Sequence, residues 1–201
     1  MQRAVRVLAL ALLTFTACRT TTQASARTAS ASFERELTAD TRVATNAEAG
    51  VEALVFDFPR QKLIGLGGKV SSWLGWLDAR SPKGAIESVQ NLGSEGAVVA
   101  VSLHGGPDVP CLLDPSLERS AFPFEALSKE ALAEAQKAFQ GTLHRSRVTG
   151  FSITIGQTEL NGPEIDVGAK ECRLGRDFLA QLVVLLPNRG RQPLLILVPK
   201  E

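Results

Sequence analysis

The pattern of apolar and polar positions predicts a folded region that begins near Val51. Leu54 to Phe58 is an apolar and aromatic run closed by a proline, which is typical of a buried strand. Lys62 to Leu66 predicts a second, shorter strand. Ala97 to Leu103 is a continuous apolar run near glycines on both sides, so we expect a central strand covered on both faces.

Three more strands are predicted in the last third of the chain. Phe151 to Ile155 alternates apolar and polar residues, as a half-buried strand does. Asn161-Gly162 is typical of a tight turn, after which Glu164 to Val167 would return as a short partner. Leu194 to Val198 predicts a last apolar strand.

Four segments have the spacing of amphipathic helices. Lys69 to Ala79 carries apolar residues at helical intervals, and Ser81-Pro82 would open a second helix that runs to Leu92. Ser128 is a good N-cap for a third helix that ends before Gly141. Leu174 to Leu186 forms a Leu-rich stripe that predicts a fourth. The Gly- and Pro-rich segment 105–123 is predicted to be a long loop.

These elements together predict an α+β domain, a mixed β-sheet flanked by helices, over residues 51–201. Two parts of it share one order of elements: strand, short strand, helix, strand. The first part is residues 51–103 and the second is residues 150–198. Two similar ββαβ halves are therefore one arrangement that the pattern allows.

The leading stretch has the layout of an export signal. Arg3 and Arg6 precede an apolar core of about 11 residues, which is shorter than the roughly 20 needed to span a bilayer. The core ends in Phe15-Thr16-Ala17-Cys18, and there the chain resembles the bacterial lipoproteins, although their lipobox usually has Leu where Phe15 stands. The resemblance implies a signal peptide over 1–17, removed by cleavage, and fatty acylation (palmitate among the groups) of Cys18. An ordinary secretory signal is the alternative.

The lipoprotein resemblance also implies a location. Arg19 follows Cys18, where many Gram-negative lipoproteins kept at the inner membrane have Asp. We therefore expect a lipid anchor in the outer membrane of a bacterial cell envelope. Residues 18–50 are dominated by Thr, Ala and Ser, which bury too little apolar surface to offset ordering entropy, so we expect a disordered tether.

Residues 150–199 resemble part of the periplasmic domain of the ExbD/TolR proteins. The matching features are FSITIG, the Asn161-Gly162 turn, PEIDV, FLAQLVVLL and LLILV. That family anchors itself with a transmembrane helix, which the apolar pattern of this sequence does not predict, and it continues past the last strand. The resemblance implies a cell-envelope domain that binds partner proteins.

Composition narrows the function classes. The formal net charge is +1, so no strong field favours a nucleic-acid partner. Tyr is absent and His occurs twice, which disfavours acid–base catalysis. We expect no catalytic set, no cofactor and no metal site. The first hypothesis is a non-catalytic protein-binding or scaffolding domain whose envelope partner the sequence does not name.

The alternative hypothesis is a small envelope hydrolase that uses the loop containing His104 and Asp108. His104-Gly105-Gly106 is similar to the oxyanion loop of esterases, and Ser102 or Cys111 would be the nucleophile. The G-x-S-x-G nucleophile elbow of that fold is missing from the sequence.

Cys111 and Cys172 remain as a pair if Cys18 carries lipid. In an oxidising compartment such a pair can form a disulfide. Closing a loop of about 60 residues would stabilise the fold by roughly 4 kcal/mol in the chain-entropy model. The other outcome is two buried thiols that act as small core residues.

Overall fold

The computed structural model describes residues 31–44, 50–68, 85–91, 96–138, 146–162, 164–188 and 194–198. Within these ranges the chain is mostly β. The strands are β1 (Ala31–Glu36), β2 (Ala53–Asp57), β3 (Lys62–Leu66), β4 (Ala85–Asn91), β5 (Ala97–Leu103), β6 (Asp108–Leu113), β7 (Ala121–Phe122), β8 (Ser146–Thr149), β9 (Ser152–Ile155), β10 (Thr158–Asn161), β11 (Glu164–Val167), β12 (Cys172–Leu174), β13 (Val183–Pro187) and β14 (Leu194–Val198). The helices are α1 (Lys129–Ala138) and α2 (Arg176–Leu179), with a 3-10 turn at Phe124–Ala126.

The strands form two sheets that meet at β4. The first sheet is antiparallel throughout and has the order β1-β3-β2-β13-β14-β4. The second has the order β5-β6-β12-β7-β11-β8, and the β9–β10 hairpin pairs with β5. The pairs β6–β12 and β7–β11 are parallel, so the second sheet is mixed, as predicted. The rest of the predicted α+β arrangement, one sheet flanked by helices, is wrong for the described residues, because these are mostly β and form two sheets.

The main core lies between the sheets. Its largest fully buried side chains include Phe56 from the first sheet, Phe122 from the second and Phe178 from α2. A smaller apolar cluster contains alternate residues of β2, β3 and β13, among them Val55, Ile64 and Leu185. Since β2 and β13 are buried at every position, both faces of the first sheet are covered there.

Several predicted elements are confirmed. The structure has strands where the pattern predicted them at β2, β3, β5, β9, β11 and β14. Helix α1 also forms as predicted, and its Ser128 Oγ accepts a hydrogen bond from the Ala131 N–H at 3.1 Å, as an N-cap does. The predicted partner of the strand at 151–155 is wrong. That strand turns back through Gly156-Gln157 onto β10, whereas β11 pairs with β7 and β8.

The helix predicted over Leu174 to Leu186 is wrong. The chain there forms the end of β12, the four-residue α2 and then β13. All five residues of β13 are apolar and buried. A run that is apolar at every position has no period of its own, so it matches a buried helix and a strand covered on both faces equally well. The helix predicted from Ser81-Pro82 to Leu92 is also wrong, since β4 occupies 85–91 and pairs with both β14 and β5.

The described elements do not support the internal repeat of two ββαβ halves. The described residues between 150 and 198 form five strands and α2 before β14, which is not the predicted order. In addition, β2, β3, β13 and β14 lie in one sheet, so the predicted halves are not separate units. The helix predicted over Lys69 to Ala79 lies outside the described residues.

The predicted long loop at 105–123 contains β6 and β7. Pro110 lies within β6 and faces Ala100 of β5. On the other side of β6, the pairing with β12 begins only at Cys111, so the missing N–H of Pro110 interrupts no hydrogen bond to β12. The Gly and Pro content of the segment therefore does not prevent it from joining the second sheet.

Part of the predicted tether belongs to the domain. Residues 31–36 form β1, which pairs antiparallel with β3. Leu37 and Val43, which follow it, are buried, with 9% and 1% of their surfaces exposed. An edge strand gains its backbone hydrogen bonds whatever its side chains are, so a polar composition does not exclude it. Among the described residues, no helix is long and apolar enough to cross a bilayer.

Candidate functional site

The loop that the sequence marked as catalytic is a tight turn between β5 and β6. His104 has a left-handed backbone (φ 46°) and an exposed side chain whose ring meets Phe151 edge-on at 5.2 Å. The Ser102 hydroxyl donates to the Gly106 carbonyl oxygen at 2.6 Å. A Cβ atom on Gly106 would clash with the carbonyl oxygen of Ala126, so this glycine has a packing role. Asp108 is exposed at the start of β6.

Cys111 and Cys172 form a disulfide in the structure, with their Cα atoms 4.5 Å apart. The two residues are direct partners in the parallel register of β6 and β12. Cys111 is fully buried and Cys172 is 5% exposed. In this state Cys111 carries no thiol that could act as the nucleophile of the hydrolase hypothesis.

Asp114 lies directly after β6 and is the centre of a polar cluster that borders a cavity. Its backbone N–H donates to the Leu174 carbonyl at 2.9 Å, which extends the β6–β12 pairing by one residue. Arg173 Nη1 donates to Asp114 Oδ2 at 2.9 Å, and the Ser116 N–H donates to Oδ1 at 3.1 Å. The Ser116 hydroxyl also donates to Oδ1. Arg173 Nη2 in turn donates to Glu171 at 3.1 Å.

These contacts set the charge of the Asp114 carboxyl. Burial alone would raise its pKa, but hydrogen bonds from the Ser116 side chain and from Arg173 outweigh burial and hold the pKa below its usual value of 3.8. Hydrogen bonds to Asp114 and Glu171 raise the pKa of Arg173. Near neutral pH the pair is therefore fully ionised, and Asp114 can accept hydrogen bonds but has no proton to donate.

The segment Asp114–Ser120, which we call the site loop, is fixed by contacts to the start of α2. Ser120 is fully buried, and its hydroxyl donates to Asp177 Oδ1 at 2.7 Å while it accepts from the Gly175 N–H at 2.7 Å. The Ser120 N–H donates to Asp177 Oδ2 at 3.0 Å. Arg119 also forms an ion pair with Glu164 of β11 at 2.8 Å. Side-chain contacts thus tie the site loop to the start of α2 and to β11.

A second segment, Leu37–Val43, crosses from the first sheet to the second, and we call it the crossing segment. At one end the Leu37 N–H donates to the Gln61 carbonyl at 2.9 Å, and at the other the Val43 carbonyl accepts from the Ala97 N–H at 2.8 Å. Between these buried ends the chain makes a polar turn in which the Thr41 N–H donates to the Thr38 carbonyl at 3.0 Å.

A groove of about 640 Å³ lies between the crossing segment and the site loop. Asp40, Thr41 and Arg42 line one wall, and Asp114 and Arg173 line the other. Apolar and small side chains complete the lining; they include Val43, Gly96, Leu112 and Leu113. The groove therefore presents two carboxylates and two guanidinium groups around an apolar patch.

Sequence reasoning did not identify the groove. Asp114, Arg173 and Asp40 stand far apart in the chain, and none of them belongs to a recognised ligand spacing. One usable signal was present in the disulfide hypothesis. Cys111 lies three residues before Asp114, and Cys172 lies one residue before Arg173. A bridge between the two cysteines therefore also brings those two charges near each other. Among the described residues, no group of three or more His, Cys, Asp and Glu side chains could hold a metal ion.

Comparison with solved structures gives distant likenesses. No protein-family model matches the chain, and no curated protein matches it. Among solved structures, it is similar to a retropepsin-like aspartic protease from Rickettsia conorii at 16% identity and a TM-score of 0.36, over 57% of this chain and 92% of that one. It is also similar to an aspartic proteinase from Irpex lacteus at 12% identity and a TM-score of 0.40, over 70% and 52% of the two chains. Both scores are too low to carry a function to this protein.

Proposed function

We propose that the chain is a lipid-anchored cell-envelope protein whose β-rich domain binds a protein partner through the groove and catalyses no reaction. The observation that carries the proposal is the state of Asp114, the acidic side chain at the wall of the groove. Its carboxylate is ionised and occupied by Arg173 and Ser116, and its side chain is only 14% exposed. Such a group fixes the shape of a surface and is not set up to transfer protons.

The groove has the composition of a protein-binding surface. Both signs of charge border an apolar patch, which suits a polypeptide segment better than a purely anionic or cationic ligand. Asp40 and Arg42 are exposed, whereas Asp114 is mostly covered. Partner specificity would therefore come from the crossing segment, while the site loop provides a rigid opposite wall.

Anchoring is the second part of the proposal, and it rests on the signal-like stretch that ends at Cys18. The described domain begins at residue 31, so residues 19–30 connect it to the lipid. At about 3.4 Å per residue, the connection spans at most roughly 45 Å. A domain on so short a connection would meet partners close to the outer membrane.

Replacement of Cys18 with Ser tests the anchor. We expect the variant to leave the detergent phase and enter the soluble fraction. It would carry none of the two or three acyl chains that firm membrane binding requires. Thr20→Ser is a matched control that should remain with the outer membrane. A Cys18→Ser protein that stays membrane-bound would contradict lipidation, and wild type that fractionates with inner-membrane markers would contradict the location.

Site-specific photo-crosslinking in the native envelope tests the groove. A photoreactive residue at Thr41 should give a discrete adduct with a partner protein, and the paired reversal Asp40→Lys/Arg42→Glu should abolish that adduct. The same photoreactive residue at Glu125, which is exposed and outside the groove lining, is the control. Identical adducts from both positions would contradict a groove-specific partner. Hydrolytic activity that disappears with His104→Asn would favour the hydrolase alternative.

A further inference from the structure

The disulfide lies in the same two strands that bring the charges of the groove together. Cys111 and Cys172 are register partners in β6 and β12, and the next partners along the ladder are Leu112 and Arg173. Asp114 follows the end of β6 and accepts its hydrogen bond from Arg173 of β12. A change in the β6–β12 register therefore moves the two members of the ion pair relative to each other.

Strand β12 is short, and its first two residues, Cys172 and Arg173, have few backbone partners. Its last residue, Leu174, is fully buried and accepts the Asp114 N–H, and Gly175 just after it donates to Ser120, so this end is attached to the site loop independently of the disulfide. The strand is three residues long and pairs with β6 on one side. On its other side it meets β7 only at the Arg173–Ala121 pair. The disulfide is the one covalent link between β12 and β6, and it stands one residue from Arg173.

We infer that the Cys111–Cys172 disulfide is a reduction-sensitive clamp on the groove, and that its cleavage releases Arg173 from Asp114 while the rest of the domain stays folded. The clamp acts on the ion pair itself, so it does not require the proposed partner or the lipid anchor. Its effect would be to make the shape of the groove depend on the thiol–disulfide balance around the protein.

The reductant would be a dithiol, whether a small molecule or a protein with two cysteines. One of its thiolates attacks a sulfur of the pair, so that the protein S–S bond breaks and a mixed disulfide forms. Its second thiolate then attacks the mixed disulfide. The dithiol leaves as a disulfide, and Cys111 and Cys172 each gain an electron and a proton. Since Cys111 is fully buried and Cys172 is 5% exposed, the attack requires local opening of β12.

Titration of Asp114 measures the state of the clamp without any ligand. The groups that act on this carboxyl are Arg173 and Ser116. Asp40 and Arg42 line the opposite wall of the groove. Full-length protein labelled with ¹³C at the Asp carboxyl carbons would be titrated by NMR before and after treatment with dithiothreitol. Asp114→Asn assigns the signal, and circular dichroism follows the fold. We expect the pKa of Asp114 to rise toward its usual value on reduction, with the β-sheet signal retained.

Two variants make the result decisive. Cys111→Ala/Cys172→Ala should show the raised pKa without reductant, and dithiothreitol should not change it further. In Arg173→Gln, reduction should leave the pKa of Asp114 unchanged, because the coupling passes through Arg173. Equal Asp114 titrations in oxidised and reduced wild type would overturn the inference. Loss of the whole fold on reduction would overturn it as well, since the disulfide would then stabilise the domain globally and not the groove locally.

Discussion

Two loops at opposite ends of the antiparallel β5–β6 pair show how differently the fold can use similar residues. One is the turn after β5, residues 104–107, and the other is the site loop after β6. Both contain proline and at least one polar side chain. The side-chain hydrogen bond of the turn is local, from Ser102 to Gly106, four residues apart, although the His104 N–H also donates to the Ser152 carbonyl of β9 at 2.9 Å. The site loop is bonded to distant parts of the chain, with Ser120 reaching Asp177 and Asp114 reaching Arg173.

The difference lies in the sequence separation of the side-chain hydrogen bonds. The contact between the hydroxyl of Ser120 and Asp177 spans 57 residues, and the one between Asp114 and Arg173 spans 59. Such bonds exist only after the sheet has assembled, and they then tie the loop to the assembled sheet. A motif-like sequence such as His-Gly-Gly can therefore belong to a plain turn, while an inconspicuous segment becomes the organised one.

The largest effect on stability is expected from Asp177→Ala, which removes the hydrogen bonds between Asp177 and Ser120 of the site loop. The change removes the acceptor of the Ser120 hydroxyl and of the Ser120 and Phe178 N–H groups. We expect a loss of about 2–6 kcal/mol in the free energy of unfolding, because at least two buried donors lose their partners at about 1–3 kcal/mol each. Urea denaturation measures the loss.

Asp108→Ala is the matched control for that experiment, since it deletes the same carboxyl from the exposed start of β6. Its effect should stay within about 0.5 kcal/mol, as for most exposed substitutions. Equal losses in the two variants would remove the distinction between a locally closed turn and a loop fixed by distant contacts.

A smaller, pH-dependent effect is expected from Asp114→Asn. The lowered pKa of Asp114 means that its carboxylate stabilises the folded state above the unfolded-state pKa, near 3.8, and that this contribution disappears as pH falls through the folded-state value. We expect wild type to be more stable than the variant by about 1–2 kcal/mol at neutral pH, on the scale of a hydrogen bond to a charged group. The gap should close in acid, and urea denaturation of both proteins across that range measures it. A gap that is constant with pH would show that the carboxylate charge is not what fixes the site loop.

The smallest effect is expected from His104→Asn in the turn after β5. Asn tolerates the left-handed backbone found at this position, so the main loss is the ring contact with Phe151. That contact is worth about 0.5–1 kcal/mol. Thermal unfolding of the variant measures the loss, and a decrease several times larger would show that the turn has an unrecognised structural role.

The sequence by itself determined the elements whose pattern is local. The apolar run at β5, the apolar and aromatic run at β2 and the Ser128 cap of α1 were predicted and are present. Each signal rests on neighbouring residues: a strand's period, a run between turn residues, or a side chain that bonds three positions ahead. Lipid attachment at Cys18 has the same local character and stays a prediction.

Only the tertiary structure decided the rest. β13 is a strand because β2 and β14 pair with it on both sides, and its apolar residues would fit a helix as well. β1 forms on β3 in spite of a polar sequence, because an edge strand is stabilised through its backbone. The groove depends on the parallel register of β6 and β12, which places Asp114 beside Arg173. Hydrogen bonds between strands so distant in the chain leave no periodic signal in the sequence.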